Sequence, residues 1–165
     1  VIHHMEDPNA GFTSINNCLK KNGLLKLSLY SEVARRNLLE YQELAKSEKI
    51  SSHLQLRNFR NKLIKYDNIE DKQILDFGDF YNASTFKDLV LHEQEHTFNI
   101  QKIKEVIKRL NLKFCGFQNT RGLYNKFIQH FRSSQNLYEL DYWEEFEEKY
   151  PDTFSGMYQF WCQKI

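Results

Sequence analysis

The chain has 165 residues, of which 41% are apolar and 15% aromatic, so it can form one domain with a buried core and is not a disordered chain. Its 23 Lys and Arg residues balance 22 Asp and Glu residues, so no bulk attraction to nucleic acid or an anionic membrane is expected. No apolar run approaches the roughly 20 residues of a membrane span, and no signal peptide is expected. Three widely spaced cysteines indicate reduced thiols and a cytoplasmic location; they are Cys18, Cys115 and Cys162.

The first part of the chain is predicted to contain a loop, a helix and a strand. An Asp-Pro pair and a following glycine are typical of a turn, which predicts a loop over residues 5–12. Apolar residues recur with helical spacing over 12–22, and Gly23 suits the end of that helix. Leucines alternate with polar residues over 24–30. This pattern predicts a buried strand, and Ser31 suits the N-cap of the next helix.

The middle of the chain is predicted to be helical. Residues 32–47 carry an irregular apolar face that favours a helix. Segments 51–66 and 69–81 hold many aromatic residues with little clean periodicity, and we interpret them as short helices with loops. A further short helix is predicted over 85–91. One domain is expected over the whole chain, with a helical insertion at about 51–90.

The second half is predicted to alternate helices with strands. The expected helices are 100–111, 121–132 and 137–150, and the expected strands are 112–118 and 156–164. Because helices intervene between the strands, the predicted fold class is α/β with one mostly parallel sheet. The final strand is the one element that we allow to run antiparallel to its neighbour.

One short stretch matches a catalytic metal motif. His92-Glu93-Gln94-Glu95-His96 has the H-E-x-x-H pattern, in which two histidines of one helix bind zinc and the first glutamate acts as general base. A zinc-dependent hydrolase is therefore an alternative hypothesis. Asn99 weakens it, because an N-cap there implies that any earlier helix ends near His96. Four glutamates could offer a third ligand but are more simply a solvated helix face; they are Glu144, Glu145, Glu147 and Glu148.

Four stretches occur in the order found in one enzyme family. They are VIHHMEDPNAG (1–11), CLKKNGLLKLSLYSE (18–32), LVLHEQEHTFNIQKIKEVIKRLNLKFCGF (89–117) and FSGMYQFWCQK (154–164). Together they resemble the C-terminal half of a bacterial class I S-adenosylmethionine-dependent methyltransferase, of the type often joined to tetratricopeptide repeats. The resemblance covers nearly the whole chain, and the order of the pieces is more specific than any one piece.

The resemblance implies a partial doubly wound, Rossmann-like, mostly parallel sheet with added helices, from which the first half is missing. Val1-Ile2 would then be the tail of the fourth strand. The Gly-rich loop that cradles the cofactor is absent, since no G-x-G motif occurs. The family's turn before the fifth strand also departs here, because residues 19–23 lack its proline and first glycine. The complete protein would use S-adenosylmethionine, with no metal expected, and this chain would supply the side of the pocket that binds an unknown methyl acceptor.

The resemblance also implies which side chains face that pocket. His4 is the first candidate for a general base or for orienting the acceptor, because an imidazole titrates near neutral pH. His92 and His96 would lie over the acceptor, with Glu95 orienting one imidazole, and Tyr30 would close the pocket wall. The remaining candidates are His3 and Arg121 on the substrate side, and His3 and Met5 on the cofactor side. The alternative for each is a packed, capped or surface side chain without a catalytic role.

A third hypothesis is a non-catalytic interaction domain. The sheet edge left by missing strands would favour pairing with another chain, and a homo-oligomer would result. Neither a membrane nor nucleic acid is an expected partner.

Overall fold

The structure is a computed structural model in which the chain divides into two compact units. It describes residues 1–36, 38–65, 73–92, 95–120 and 122–165. We call residues 1–34 with 94–165 the sheet unit and residues 35–93 the helical unit. The helical insertion predicted at about 51–90 falls within the helical unit.

The described residues are mostly helical. The helices are α1 (Pro8–Cys18), α2 (Glu32–Arg35), α3 (Leu38–Ser47), α4 (His53–Lys65), α5 (Ala83–Leu91), α6 (Ile100–Arg109), α7 (Leu123–Phe131) and α8 (Leu140–Lys149). The strands are β1 (Leu24–Leu29), β2 (Leu112–Phe117) and β3 (Tyr158–Lys164). Short 3-10 turns cover Ile2–His4, Gln73–Asp76, Gly78–Tyr81, Gln135–Tyr138 and Pro151–Phe154. Among the residues that the structure describes, no helix is both long and apolar enough to cross a membrane.

The sheet corrects the predicted fold class. β3 lies between β1 and β2 and runs antiparallel to both, so the sheet is small and antiparallel rather than mostly parallel and Rossmann-like. Intervening helices predict a parallel sheet only when the connection carries the chain to the opposite end of the sheet before the next strand begins. Here β3 begins beside the carboxyl ends of both β1 and β2, where Tyr158 lies opposite Leu29 and Phe160 lies opposite Phe117, so it runs antiparallel to both strands. The positions of the three strands and the antiparallel course of the last one are confirmed.

The beginning of the chain also differs from expectation. Ile2 lies in a 3-10 turn, not in the tail of a strand. The loop predicted over 5–12 is helical from Pro8 onward, because Asp7 is the N-cap and its carboxylate accepts a hydrogen bond from the Asn9 amide at 2.8 Å. Proline suits the first helical position, since that residue needs no amide donor. The Asp-Pro pair therefore starts a helix here instead of a turn.

One face of the sheet is packed and the other is open. Tyr158, Phe160 and Cys162 alternate along β3 and are fully buried, whereas Trp161 between them is 41% exposed. Such alternation is typical of an antiparallel sheet with one solvated face. On the packed side, Trp143 of α8 is fully buried with its ring 4.0 Å from that of Phe127.

The helical unit has a separate core of aliphatic and aromatic side chains. Phe86 of α5 lies at its centre, with ring centroids 5.2 Å from Phe80 and 6.3 Å from Phe59. Helix α3 packs on α5, and the Gln42 amide donates to the Leu89 carbonyl at 3.1 Å. The segment predicted as a short helix over 51–66 is the regular helix α4, whereas the described part of 69–81 forms two 3-10 turns.

Candidate functional site

Three aromatic rings meet at the carboxyl end of β1. The His3 ring centroid is 4.2 Å from that of His4 and 4.3 Å from that of Tyr30, and His4 is 5.8 Å from Tyr30. His3 is buried, while His4 and Tyr30 are half-buried. We call His3, His4 and Tyr30 the ring cluster. It joins a 3-10 turn near the start of the chain to the residue that follows β1.

A third segment, residues 96–98, is hydrogen bonded to both parts of the ring cluster through its backbone. The His96 amide donates to the His3 carbonyl at 2.8 Å, and the Phe98 amide donates to the Tyr30 carbonyl at 2.9 Å. Phe98 also forms an isolated parallel bridge with Ser31. Four of the predicted site residues therefore converge within the sheet unit, with His96 placed there by its backbone. Their roles stay a prediction.

Local packing explains why these segments come together. The Phe98 ring is buried and lies edge-on to Phe12 of α1, with centroids 5.8 Å apart. Met5, predicted on the cofactor side, lies against α1 instead of in the ring cluster. A Cβ atom at Gly11 would come within 2.6 Å of the Met5 sulfur, so a larger residue at this position would require the Met5 side chain to move. Helix α1 thus supports the 3-10 turn that carries the two histidines.

The H-E-x-x-H stretch does not form one helix. Helix α5 ends at Leu91, and His92 has an extended backbone with φ −65° and ψ 124°. The described residues 95–97 have no regular structure, and the next helix begins at Ile100. His92 and His96 therefore lack the one-turn helical spacing that the zinc motif requires. Among the described residues, no group of three or more His, Cys, Asp or Glu side chains is placed to hold a metal ion.

The other predicted residues divide between the two units. His92 belongs to the helical unit, whereas Glu95 and His96 belong to the sheet unit. Arg121, the candidate for an anionic acceptor, and Glu93, the base of the zinc hypothesis, lie outside the described residues.

Glu147 is a buried carboxylate, so its predicted place on a solvated helix face is wrong. Its side chain is 2% exposed. Ser31 donates its hydroxyl to Oε1 at 2.7 Å, and Tyr158 donates its phenol to Oε2 at 2.5 Å. The available signal was helical spacing: Leu140, Trp143 and Glu147 fall at i, i+3 and i+7 of α8, which is its buried stripe.

The environment of Glu147 favours its protonated form. Burial raises the pKa of this carboxyl, and the nearby carboxylates of Glu144 and Glu32 raise it further, while the hydrogen bonds from Tyr158 and Ser31 lower it. Burial and the neighbouring Glu147 also raise the pKa of the Tyr158 phenol, so that phenol stays a donor at neutral pH. The result is a buried acid that is hydrogen bonded to Ser31, the residue that follows Tyr30 of the ring cluster.

The site therefore combines two chemical features at the carboxyl end of β1. The ring cluster presents two imidazole rings, of His3 and His4, beside the ring of Tyr30. Glu147 accepts hydrogen bonds from Ser31, the residue that follows Tyr30, and from Tyr158.

Comparison with known proteins gives one informative similarity. No family model matches the chain. An uncharacterized protein of the cyanobacterium Synechococcus is 25% identical over 136 residues, covering 72% of this chain and 30% of the relative. The chain thus spans less than a third of that relative's length. The similarity shows that a comparable segment occurs within a longer cyanobacterial protein.

Proposed function

We propose that this chain supplies the acceptor side of an S-adenosylmethionine-dependent methyltransferase within a longer protein. The observation that supports the proposal is the convergence of His3, His4, Tyr30 and the His96 backbone at one end of β1. Those positions come from three stretches that are far apart in sequence and that the methyltransferase resemblance independently places at the acceptor pocket. The proposal uses this convergence and does not depend on a parallel sheet.

In the proposed mechanism, the residues orient the acceptor and take up its proton. Methyl transfer is an in-line displacement, so positioning of the attacking atom contributes most of what the protein supplies. His4 is half-buried and is the proposed base, and Tyr30 forms the wall that directs the acceptor. Glu95 and His96, which belong to the sheet unit, remain proposed pocket residues. S-adenosylmethionine supplies the electrophilic methyl group when it is bound.

The compartment is part of the proposal. All three cysteines are free, which supports a cytoplasmic location. Cys162 is fully buried, and burial raises the pKa of its thiol to about 12, so it is unreactive at neutral pH.

The first test is cofactor binding by this chain alone. Titration calorimetry with S-adenosylhomocysteine should show no binding below the millimolar range, because the cofactor loop is absent from this sequence. Low-micromolar binding by the isolated chain would contradict the acceptor-side assignment.

The second test uses the longer protein that carries this segment. Tritiated methyl transfer from S-adenosylmethionine should fall by about 100-fold or more in the His4→Ala variant, which is the lower range for loss of a general base. The control is His53→Ala, which changes an exposed histidine of α4. Equal turnover in the two variants would exclude His4 as the base.

A second candidate role is self-association through the outer edge of β1. Within the described residues β1 pairs with β3 alone, which leaves its other edge without a strand partner, and Leu24 is 60% exposed. Light scattering across a range of concentrations tests this role. A dimer that is lost in Lys26→Pro, at an exposed position of β1, but kept in Leu54→Pro, at an exposed position of α4, would support it, whereas a monomer at high concentration would exclude it.

A further inference from the structure

We infer that Glu147 is a positioning residue for the ring cluster, acting through Ser31. The inference deepens the proposed function, because it concerns the residues that would hold the acceptor. Its geometric part can be tested without cofactor or acceptor.

Stability alone does not account for a carboxylate at this place. Glu147 is 2% exposed, Ser31 is 1% exposed and Tyr158 is fully buried, so three polar groups have been removed from water together. Burying an acid is unfavourable even when it is hydrogen bonded, and an apolar side chain of similar volume is often at least as stable. A buried acid with two specific donors is therefore better explained by the geometry that it imposes on those donors.

Ser31 carries that geometry to the backbone. Its hydroxyl donates to Glu147 Oε1 at 2.7 Å and accepts from the Ala34 amide at 3.1 Å, so it is held from two directions. The Ala34 contact makes Ser31 the cap of α2, and the Glu147 contact ties the same atom to α8.

The position of Ser31 determines the positions of its two neighbours, Tyr30 and Glu32, which are hydrogen bonded to the backbone of Phe98. The Phe98 amide donates to the Tyr30 carbonyl at 2.9 Å, and its carbonyl accepts from the Glu32 amide at 2.7 Å. These two bonds flank Ser31 and hold residues 96–98 in register. The same register places the His96 amide on the His3 carbonyl at 2.8 Å. Glu147 is thus linked to the ring cluster through its hydrogen bond with Ser31, the covalent backbone on either side of Ser31, and the backbone hydrogen bonds of Phe98 and His96.

The second oxygen of Glu147 ties this series to the sheet. Tyr158 begins β3, and its backbone lies opposite Leu29 at the end of β1. Glu147 therefore holds the end of β1 and the start of β3 at one point. The other acidic groups near it, Glu32 and Glu144, are ion-paired at the surface with Lys102 and Lys104.

Three variants separate positioning from charge. Glu147→Gln keeps the shape and can still bond both hydroxyls, with the Tyr158 oxygen accepting from the new amide. Glu147→Leu keeps the approximate volume and removes both bonds. Ser31→Ala removes only the connection to the backbone and leaves the Tyr158 bond to Glu147.

Amide hydrogen exchange by NMR measures the expected effect. In Glu147→Leu, exchange at the Phe98 and Glu32 amides should accelerate at least tenfold more than at the Ile103 amide, which bonds Asn99 within the same unit. The ring signals of His3 and His4 should shift. In Glu147→Gln the ratio of exchange at Phe98 and Glu32 to exchange at Ile103 should stay within twofold of its value in the unchanged chain, and Ser31→Ala should follow Glu147→Leu.

Two results would overturn the inference. Equal acceleration at Phe98, Glu32 and Ile103 would mean that Glu147 only stabilises the unit as a whole. Unchanged exchange at Phe98 in a folded Glu147→Leu variant would mean that the hydrogen-bond series does not hold the segment. If Glu147→Leu does not fold, the same comparison of exchange at Phe98 and Glu32 with exchange at Ile103 is made in Ser31→Ala.

The outcome is distinguishable from that of the proposed function. The expected exchange pattern without methyl transfer in the longer protein would keep Glu147 as a positioning residue and reject the methyltransferase. Methyl transfer that depends on His4, together with equal acceleration of exchange at all three amides, would keep the methyltransferase and reject Glu147 as a positioning residue.

Discussion

The sheet unit and the helical unit are built on different principles. Of the four buried polar or charged residues described, His3, Ser31 and Glu147 lie in the sheet unit, and Arg35 lies in the helical unit. The sheet unit joins residues far apart in sequence, as in the bond from Ser31 to Glu147. The core of the helical unit is apolar and its members lie within about 50 residues of one another. An apolar core tolerates changes of shape, whereas a polar network requires particular partners.

The largest expected effect is a truncation in the sheet unit. Trp143→Ala should lower the free energy of unfolding by about 4–5 kcal/mol, which is the upper range for a large aromatic side chain in a core. Trp143 is fully buried, stacks on Phe127 and donates its indole N–H to the Leu137 carbonyl at 2.9 Å. Urea unfolding measures the loss. A loss below that of Trp143→Phe would contradict the assigned packing.

The matched truncation in the helical unit should cost less. Phe86→Ala should lower the free energy of unfolding by about 3–4 kcal/mol, because it removes ring contacts with Phe59 and Phe80 but no hydrogen bond. Phe86→Leu should cost only about 1 kcal/mol, since an apolar core accepts a change of shape. A larger loss of unfolding free energy in Phe86→Ala than in Trp143→Ala would contradict the expected difference between the two units.

The third prediction concerns pH. Burial raises the folded-state pKa of Glu147 above its ordinary value of 4.5, so the folded chain prefers the protonated acid. Its favourable contribution is therefore complete below about pH 4.5 and is lost as pH rises through the folded-state pKa. Glu147→Gln, which stays neutral, should gain stability relative to the unchanged chain by up to about 1.4 kcal/mol per pH unit across that interval.

Urea unfolding of both proteins between pH 4.5 and pH 8 measures this difference. Glu148→Gln is the control, because Glu148 is exposed on the same helix. A stability difference that is flat or that falls with pH would contradict the assigned environment of Glu147.

The smallest predicted effect concerns helix capping, in which the two units should behave alike. Asn99 caps α6 in the sheet unit by accepting from the Lys102 amide at 2.9 Å, and Asn82 caps α5 in the helical unit by accepting from the Ser84 amide at 2.9 Å. Replacing either by Ala should cost about 1 kcal/mol in thermal or urea unfolding. The corresponding Asn→Ser variants should restore most of that loss. Unequal losses would show that one cap has a tertiary role.

The sequence predicted local features better than their assembly. The three strands and the caps at Ser31 and Asn99 are confirmed because they depend on alternation and capping chemistry within a few residues. The fold class was wrong because strand order depends on which distant segments meet. The early start of α1 was missed because Asp7-Pro8 is compatible with both a turn and a helix N-terminus.

The candidate site was only partly predictable for the same reason. His3, His4 and Tyr30 were identified before their rings were known to touch, through the resemblance and their place beside a strand. Glu147 was missed because a glutamate among other glutamates is normally solvated. Its position in the apolar stripe of α8 was visible in the sequence, but its partners Ser31 and Tyr158 come from two other elements.

The central place of β3 has a consequence for the order in which the sheet can form during synthesis. β1 and β2 precede β3 in the chain, and neither pairs with the other. When residues 1–150 have emerged from the ribosome, both outer strands have been synthesised but the strand that pairs with them has not. Within the described residues, β1 and β2 have no strand partner until Tyr158–Lys164 emerge, so their apolar faces are open to aggregation during this interval.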